Sequence, residues 1–212
     1  MSHSPESKTA ELPDWDALYR LARPPWESGV PSGELVRVLD EGLLRPSTTL
    51  ELGCGTGADA VCLAQHGFDV TAVESSPTAL ERARGRAQAQ GALIQFVLDD
   101  AFEFGRTCGP FDLVYDAGFY HFIRQTDLER LLDLLWRVTR PGSYYFALAG
   151  STGETAEGGP PQVSEDNIRM ELGRLFQFVH LRPFRFESPR RAEGYLGWSC
   201  LMQRPKSVVG EE

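Results

Sequence analysis

Between residues 48 and 116 the chain alternates short apolar, β-branched runs with stretches whose apolar residues recur three or four positions apart. TTLEL (48–52) predicts a first strand, and ADAVCLAQHG (58–67), with Ala60, Val61, Leu63 and Ala64 on one face, predicts a helix stopped by Gly67. DVTAVE (69–74) predicts a second strand, after which Ser76 and Pro77 have the order of an N-cap and a first helical residue. IQFVLDD (94–100) and FDLVYD (111–116) predict the third and fourth strands. Thr126 and Glu129 predict a capping box ahead of LERLLDLLWRVTR, and Arg140-Pro141-Gly142 turns that helix into the strand SYYFALAG. A Gly/Thr/Pro-rich loop follows (150–161), then a helix from SEDNIRMEL and two strands near FQFVHLRPFRFE and GYLGWSCLMQR. Strands alternating with helices predict an α/β fold: a Rossmann-like, doubly wound, mostly parallel sheet with helices on both faces. In such sheets the ligand lies outside the carboxyl ends of the strands.

At the first of those ends the chain reads LELGCGTGAD (50–59), with glycines at 53, 55 and 57. Closely spaced glycines between a strand and a helix let backbone approach a ligand. Gly53, Gly55 and Ala58 also satisfy a dinucleotide fingerprint, with Glu74 at the distance of a ribose-binding acid, so the glycines alone leave the ligand open.

The acids narrow it. Glu51 precedes the loop, Glu74 closes the second strand, Asp99 and Asp100 the third, and Asp116 the fourth, with no basic residue among them. A single acid at a strand end is ordinarily a turn residue. Four strand ends in register would repel a pyrophosphate but suit S-adenosyl-L-methionine, which brings a sulfonium, an ammonium, two ribose hydroxyls and an adenine amine. Glu74, with Ser75 beside it, is assigned to the ribose hydroxyls, Asp100 to the adenine amine with Ala101 nearby, and Glu51 to the methionine end. Asp116 is assigned to the border of the transferring methyl group. Gly53 and Gly55 are the expected close approaches, Gly57 a packing glycine, and Cys54 a small residue that contributes backbone.

Composition bounds the rest. At 212 residues and 42% hydrophobic content the chain is long enough for one sizeable core. Cys54, Cys62, Cys108 and Cys200 form neither a CxxC pair nor a zinc-ligand spacing, so no metal and a reduced, cytoplasmic setting are expected. A net charge of -9 argues against nucleic acid, and no apolar run has the length of a membrane span. Residues 1–13 and 205–212 read as flexible tails around a single domain, 14–204, with a helical N-terminal segment, 14–45.

The acid-x-Gly-x-Gly-x-Gly stretch ELGCGTG (51–57) resembles the first motif of class I S-adenosylmethionine-dependent methyltransferases. PPWESGVP (24–31), FDLVYDAGFYHFI (111–123) and GGPPQVS (158–164) are similar to the thiopurine methyltransferase and thiol/halide methyltransferase group. The resemblance implies a seven-stranded sheet with the last strand antiparallel. It also implies an N-terminal lid, which by position points to Trp15, Tyr19 and Trp26. It implies methyl transfer to a small thiol, sulfide or halide, leaving S-adenosyl-L-homocysteine; a monomer is expected. Around the acceptor pocket this chain departs from the group with Ala117, Gly118, Tyr120 and His121, and Tyr19 stands where a second tryptophan is usual.

Alternatives stay open. Trp15 and Trp26 serve equally as anchors that dock a terminal helix. His121 is either a loop-capping residue or, with Tyr120, a base for an oxygen, nitrogen or metalloid acceptor. Arg182, Arg185, Arg190 and Arg191 read as solvated charges, one of which can reach an anionic acceptor. From other classes, a dinucleotide-dependent reductase and a catalytically silent S-adenosylmethionine-binding module are the competing readings.

Overall fold

The computed structural model describes residues 13–21, 24–155 and 157–206. Of the two expected tails, only Pro13, Pro205 and Lys206 fall within that range. In chain order the elements are α1 (Trp15–Leu21), α2 (Gly33–Asp40), β1 (Thr48–Leu52), α3 (Ala58–Gln65), β2 (Asp69–Glu74) and α4 (Pro77–Gln90). They continue with β3 (Gln95–Leu98), α5 (Ala101–Thr107), β4 (Phe111–Ala117), α6 (Phe119–Val138), β5 (Thr139–Ser151), β6 (Gln162–Val163), α7 (Glu165–Leu172), β7 (Gln177–Phe186) and β8 (Tyr195–Gln203).

The sheet runs β3-β2-β1-β4-β5-β8-β7, a path of seven strands, and the two-residue β6 pairs with the end of β5. β1 is parallel to β2 and β4, and the last strand, β8, is antiparallel to both β5 and β7. The order reverses between β1 and β4, so a crevice opens at their carboxyl ends. Central strands covered on both faces are apolar throughout rather than alternating. In β4, Leu113 and Tyr115 pack under α2, α3 and α4 with Leu35, Leu63 and Leu80. Val114, on the other face, packs with Leu131 and Leu135 of α6 and Ile168 of α7.

Local signals set most boundaries. Ser76 Oγ accepts from Ala79 N at 3.1 Å as the N-cap of α4, and Gly91, at φ 64°, ends that helix. Three details correct the sequence reading. β3 stops at Leu98, because Asp100 leaves the strand to cap α5, which the apolar pattern did not reveal. α6 begins at Phe119 and breaks at Asp127 (φ -154°, ψ 81°). The cap there is Asp127, whose Oδ1 accepts from Arg130 N at 2.9 Å, while Thr126 Oγ1 donates to Ile123 O and Glu129 pairs with Arg174.

Candidate active site

A cavity of about 460 Å³ opens at the strand ends, within the range of small-molecule sites. Its floor is the glycine loop. Gly53 N and Cys54 N donate to Val73 O at 2.9 and 3.1 Å, which ties the loop to β2. Gly55 has φ 53°, and a Cβ there would stand 2.8 Å from Tyr19 Oη. Both its conformation and its crowding therefore require glycine. Gly57 is the packing glycine expected, since a Cβ would meet Ala83 Cβ of α4 at 2.8 Å. Cys54 lines the cavity, and burial pushes its thiol well above the usual range, so it is no thiolate nucleophile.

The acids divide into those that face the cavity and those that do not. Glu51 is 3% exposed, lines the cavity, and has an Oε2 without a hydrogen-bond partner. Burial, then Asp59, Glu74 and Asp116, raise its carboxyl well above the ordinary range. An unpaired buried carboxylate is costly, and a cation relieves that cost. Glu74 is aimed by backbone: Oε2 accepts from Gly55 N at 2.9 Å and Oε1 from Ser76 N at 2.8 Å, with Ser75 Oγ at 3.5 Å. Asp99, Asp100 and Ala101 line the same end. Asp100 Oδ1 accepts from Phe102 N and Glu103 N, at 2.8 and 3.2 Å, as the cap of α5. A basic residue does reach this end, contrary to the sequence reading: Arg130 Nη2 lies 3.7 Å from Asp100 Oδ1 and its guanidinium sits 4.0 Å over Phe102.

Asp116 corrects the assignment made from sequence. Fully buried, it does not line the cavity. Oδ1 accepts from Gly118 N and Tyr120 N, both at 3.2 Å, and Oδ2 from Tyr145 Oη at 2.6 Å. It anchors the start of α6, and burial raises its carboxyl to about 6.

Segments 13–21 and 24–33 roof the cavity. Trp15 meets Trp26 and Phe122 edge to face, with centroids 5.8 and 5.0 Å apart, and Trp26 Nε1 donates to Tyr19 Oη at 3.2 Å. α1 is clasped to α4 by Asp16 Oδ1, which accepts from Ser76 Oγ at 2.7 Å and Thr78 N at 3.0 Å, and by Arg82 Nη2, which donates to Tyr19 O. Further along, Glu27 Oε2 accepts from Thr56 Oγ1, Arg86 donates to Thr56 O and Gly29 O, and Asp59 Oδ1 accepts from Ser32 N. Glu27, Arg86 and Asp59 escaped sequence reasoning because their partners lie 27 to 57 residues away. Asp59, four residues after Gly55, was the one within reach of the motif.

The remaining end is largely apolar, with Phe119, Phe122, Pro160, Pro161, Phe186 and Tyr195 among its walls, and Glu187, whose Oε1 accepts from Gly33 N at 2.9 Å, at its edge. His121 lines it at 3% exposure. Its Nδ1 accepts from Gly150 N at 3.1 Å, and burial alone lowers its pKa to about 3, so the ring is neutral. Tyr120, expected beside it as a base, is absent from the lining. Fully buried, it donates from Oη to Glu171 Oε2 at 2.7 Å, and Glu171 is also bound by Arg124. The helical period turns adjacent residues 100° apart, so His121 and Tyr120 cannot share a face. Of the arginines, Arg182 pairs with Glu34, Arg191 with Glu154, and Arg185 donates to Gly194 O.

Residues 49–142 match a family model described as a methyltransferase domain. Over 167 residues the chain is 28% identical to the 2-heptyl-1-hydroxyquinolin-4(1H)-one methyltransferase of Mycobacteroides abscessus, covering 77% of this chain and 73% of that protein. It is 25% identical over 152 residues to the probable thiol methyltransferase 2 of Arabidopsis thaliana, covering 71% and 67%. A structure solved in work on the conversion of a disulfide bond into a thioacetal group during echinomycin biosynthesis superimposes with a TM-score of 0.78. It shares 28% identity, over 92% of this chain and 93% of the other.

Proposed function

We propose that this chain, a class I S-adenosylmethionine-dependent methyltransferase, methylates a small-molecule acceptor whose reacting atom is the sulfur of a thiol. The observation that carries the cofactor assignment is the buried, unpartnered Oε2 of Glu51 in a cavity edged by further carboxylates. When bound, S-adenosylmethionine supplies a methyl group on a cationic sulfur, which departs as neutral S-adenosylhomocysteine.

The residues fit that group. Glu51 accepts from the cofactor's ammonium. Glu74 Oε2 has one lone pair engaged by Gly55 N and one left for a ribose hydroxyl, and Oε1, bound by Ser76 N, has the Ser75 hydroxyl at 3.5 Å, long enough for a ribose hydroxyl to take its place. Asp100 keeps Oδ2 for the adenine amine while Oδ1 caps α5, and Ala101 supplies backbone beside it. Trp15, Tyr19 and Trp26 form the lid, and their ring faces favour a cation by roughly 0.5–2 kcal/mol. Gly53, Cys54 and Gly55 let the loop approach closely, and Ser75 lies at the Glu74 edge. Asp116 acts from behind, holding the first turn of α6 in place.

A sulfur acceptor is supported by the named chemistry of two similar proteins, one a probable thiol methyltransferase and one linked to conversion of a disulfide to a thioacetal. The apolar acceptor end supports it independently. A soft thiolate gives up its hydration more readily than a hard oxyanion, and a dry, aligned site then suffices. Oxygen is the second reading, favoured by the similarity to the hydroxyquinolinone enzyme. An acceptor screen with thiols, sulfide, halides, phenols and hydroxyquinolinones, read by S-adenosylhomocysteine formation, tests the choice. Turnover of thiols is the expected result, and turnover confined to hydroxyl acceptors overturns it.

A further inference from the structure

We infer that His121 holds the acceptor's reacting atom as an anion by donating a hydrogen bond from Nε2–H, and does not deprotonate it. The inference deepens the proposed function and rests on its placing the acceptor at the apolar end of the cavity.

The tautomer follows from a backbone group. Gly150 N, from the penultimate residue of β5, points at His121 Nδ1 at 3.1 Å. A peptide N–H can only donate, so Nδ1 holds a lone pair there and the single proton of the neutral ring sits on Nε2. Burial keeps a second proton off the ring, and no charged group contributes to that shift. Nε2 has no partner among the described residues, and the ring borders the cavity. Gly118, also on the lining, leaves the space beside Nε2 open: a Cβ there would stand 3.2 Å from that nitrogen.

A base needs the opposite arrangement. To take a proton at Nε2, the ring would have to carry its own proton on Nδ1, facing the Gly150 N–H donor to donor, and would then become a buried cation. Tyr120 is committed to Glu171 and Asp116 to α6 and Tyr145, and Glu187, the carboxylate on this part of the lining, is held by Gly33 N, which donates to its Oε1 at 2.9 Å. The site therefore admits acceptors that shed their proton to solvent. A thiol, with an ordinary pKa of about 8.5, does so to a few per cent at neutral pH, and an aliphatic alcohol does not. In the transfer, the acceptor's lone pair forms the bond to the methyl carbon, the pair of the breaking bond returns to the cofactor's sulfur, and no proton passes to the protein.

Two measurements on the full chain test this. Nitrogen NMR of the cofactor-free protein between pH 6 and 9 identifies the His121 tautomer without any acceptor. Nε2–H is expected, and Nδ1–H or an imidazolium in that range overturns the inference even if thiols prove to be good substrates. Kinetics with benzenethiol then compare His121→Ala with His121→Gln. Alanine should raise KM for the thiol about 10- to 100-fold, the equivalent of losing a hydrogen bond to a charged group. Glutamine, which keeps an N–H donor, should recover to within about fivefold of the parent. A glutamine variant as impaired as alanine, with the loss in kcat rather than KM, makes His121 the base and overturns the inference. If only hydroxyl acceptors are turned over, the sulfur assignment fails separately, and the tautomer together with the alanine and glutamine comparison on that acceptor still decides the role of His121.

Discussion

The carboxylate-lined half of the cavity, proposed to hold the cofactor, is assembled from a short stretch of chain, the ends of β1, β2 and β3 between Glu51 and Phe102, whereas the half proposed for the acceptor gathers segments near residues 118–123, 158–161, 186–188 and 195. In the first half, Glu74 is aimed by Gly55 N and Ser76 N and Asp100 by the amides of α5, while Thr56 and Asp59 also reach back to Glu27 and Ser32 of the roof. In the second, His121 is oriented by Gly150, 29 residues away. Local geometry sets most of the charge of the first half, and assembly over long sequence separations sets the walls of the second.

If the comparison is right, the strongest break comes from backbone. Gly55→Val should lower affinity for S-adenosylmethionine by about a hundredfold or more. Roughly 1–2 kcal/mol arises from a β-branched residue at positive φ, and a further 1–3 kcal/mol from crowding Tyr19 Oη. Calorimetric titration reads the loss, and circular dichroism should stay that of a folded sheet. Affinity within threefold of the parent would mean that the loop is not the cofactor's floor.

The second test uses pH on the free protein. Asp116 is held at about 6 when folded against an ordinary value near 3.8, so folding is favoured below about pH 4 and that advantage is lost as pH rises through about 6. The two-unit rise corresponds to about 3 kcal/mol. Glu51 is shifted in the same direction and adds to the loss. Urea unfolding from pH 4 to 7 should show declining stability, and Glu51→Gln should flatten the decline while weakening cofactor binding. A rise in stability across this window would contradict the burial of uncompensated acids. Glu74→Ala comes next: cofactor binding should weaken by about 1.5–3 kcal/mol without unfolding, the worth of hydrogen bonds to a charged group. Unchanged affinity in titration would leave Glu74 as a turn residue only.

The smallest effect sharpens the other half. Tyr120→Phe should change turnover less than about twofold, because its hydroxyl meets Glu171 and not the cavity, and should lower stability by about 1 kcal/mol. A fall in kcat of about a hundredfold would place Tyr120 among the reacting groups after all.

The sheet, the glycine loop and the Ser76 cap were readable because each signal is contained within a few residues. Glu51 and Glu74 were readable as cavity-facing for the same reason. Asp116 was misread because an acid at a strand end can equally cap the helix that follows, and only the positive φ of Gly118 and the reach of Tyr145 decide between the two. Tyr120 and His121 are neighbours in sequence, and the choice of which one faces the cavity depended on where α6 starts. The Thr126 capping box failed because Asp127, one residue on, competes for the same turn.

Ser76 has a consequence for how this molecule can be watched. Its hydroxyl accepts from Ala79 N and donates to Asp16 Oδ1, and the same Asp16 oxygen accepts from Thr78 N. Two amides in the first turn of α4 are thus protected through the element that roofs the cavity. Were α1 to lift, Thr78 N would lose its acceptor Asp16 Oδ1, and Ala79 N would keep a Ser76 hydroxyl no longer fixed by Asp16. Deuterium uptake at these two positions, compared with amides deep in α4, would therefore report any opening of the roof without a label.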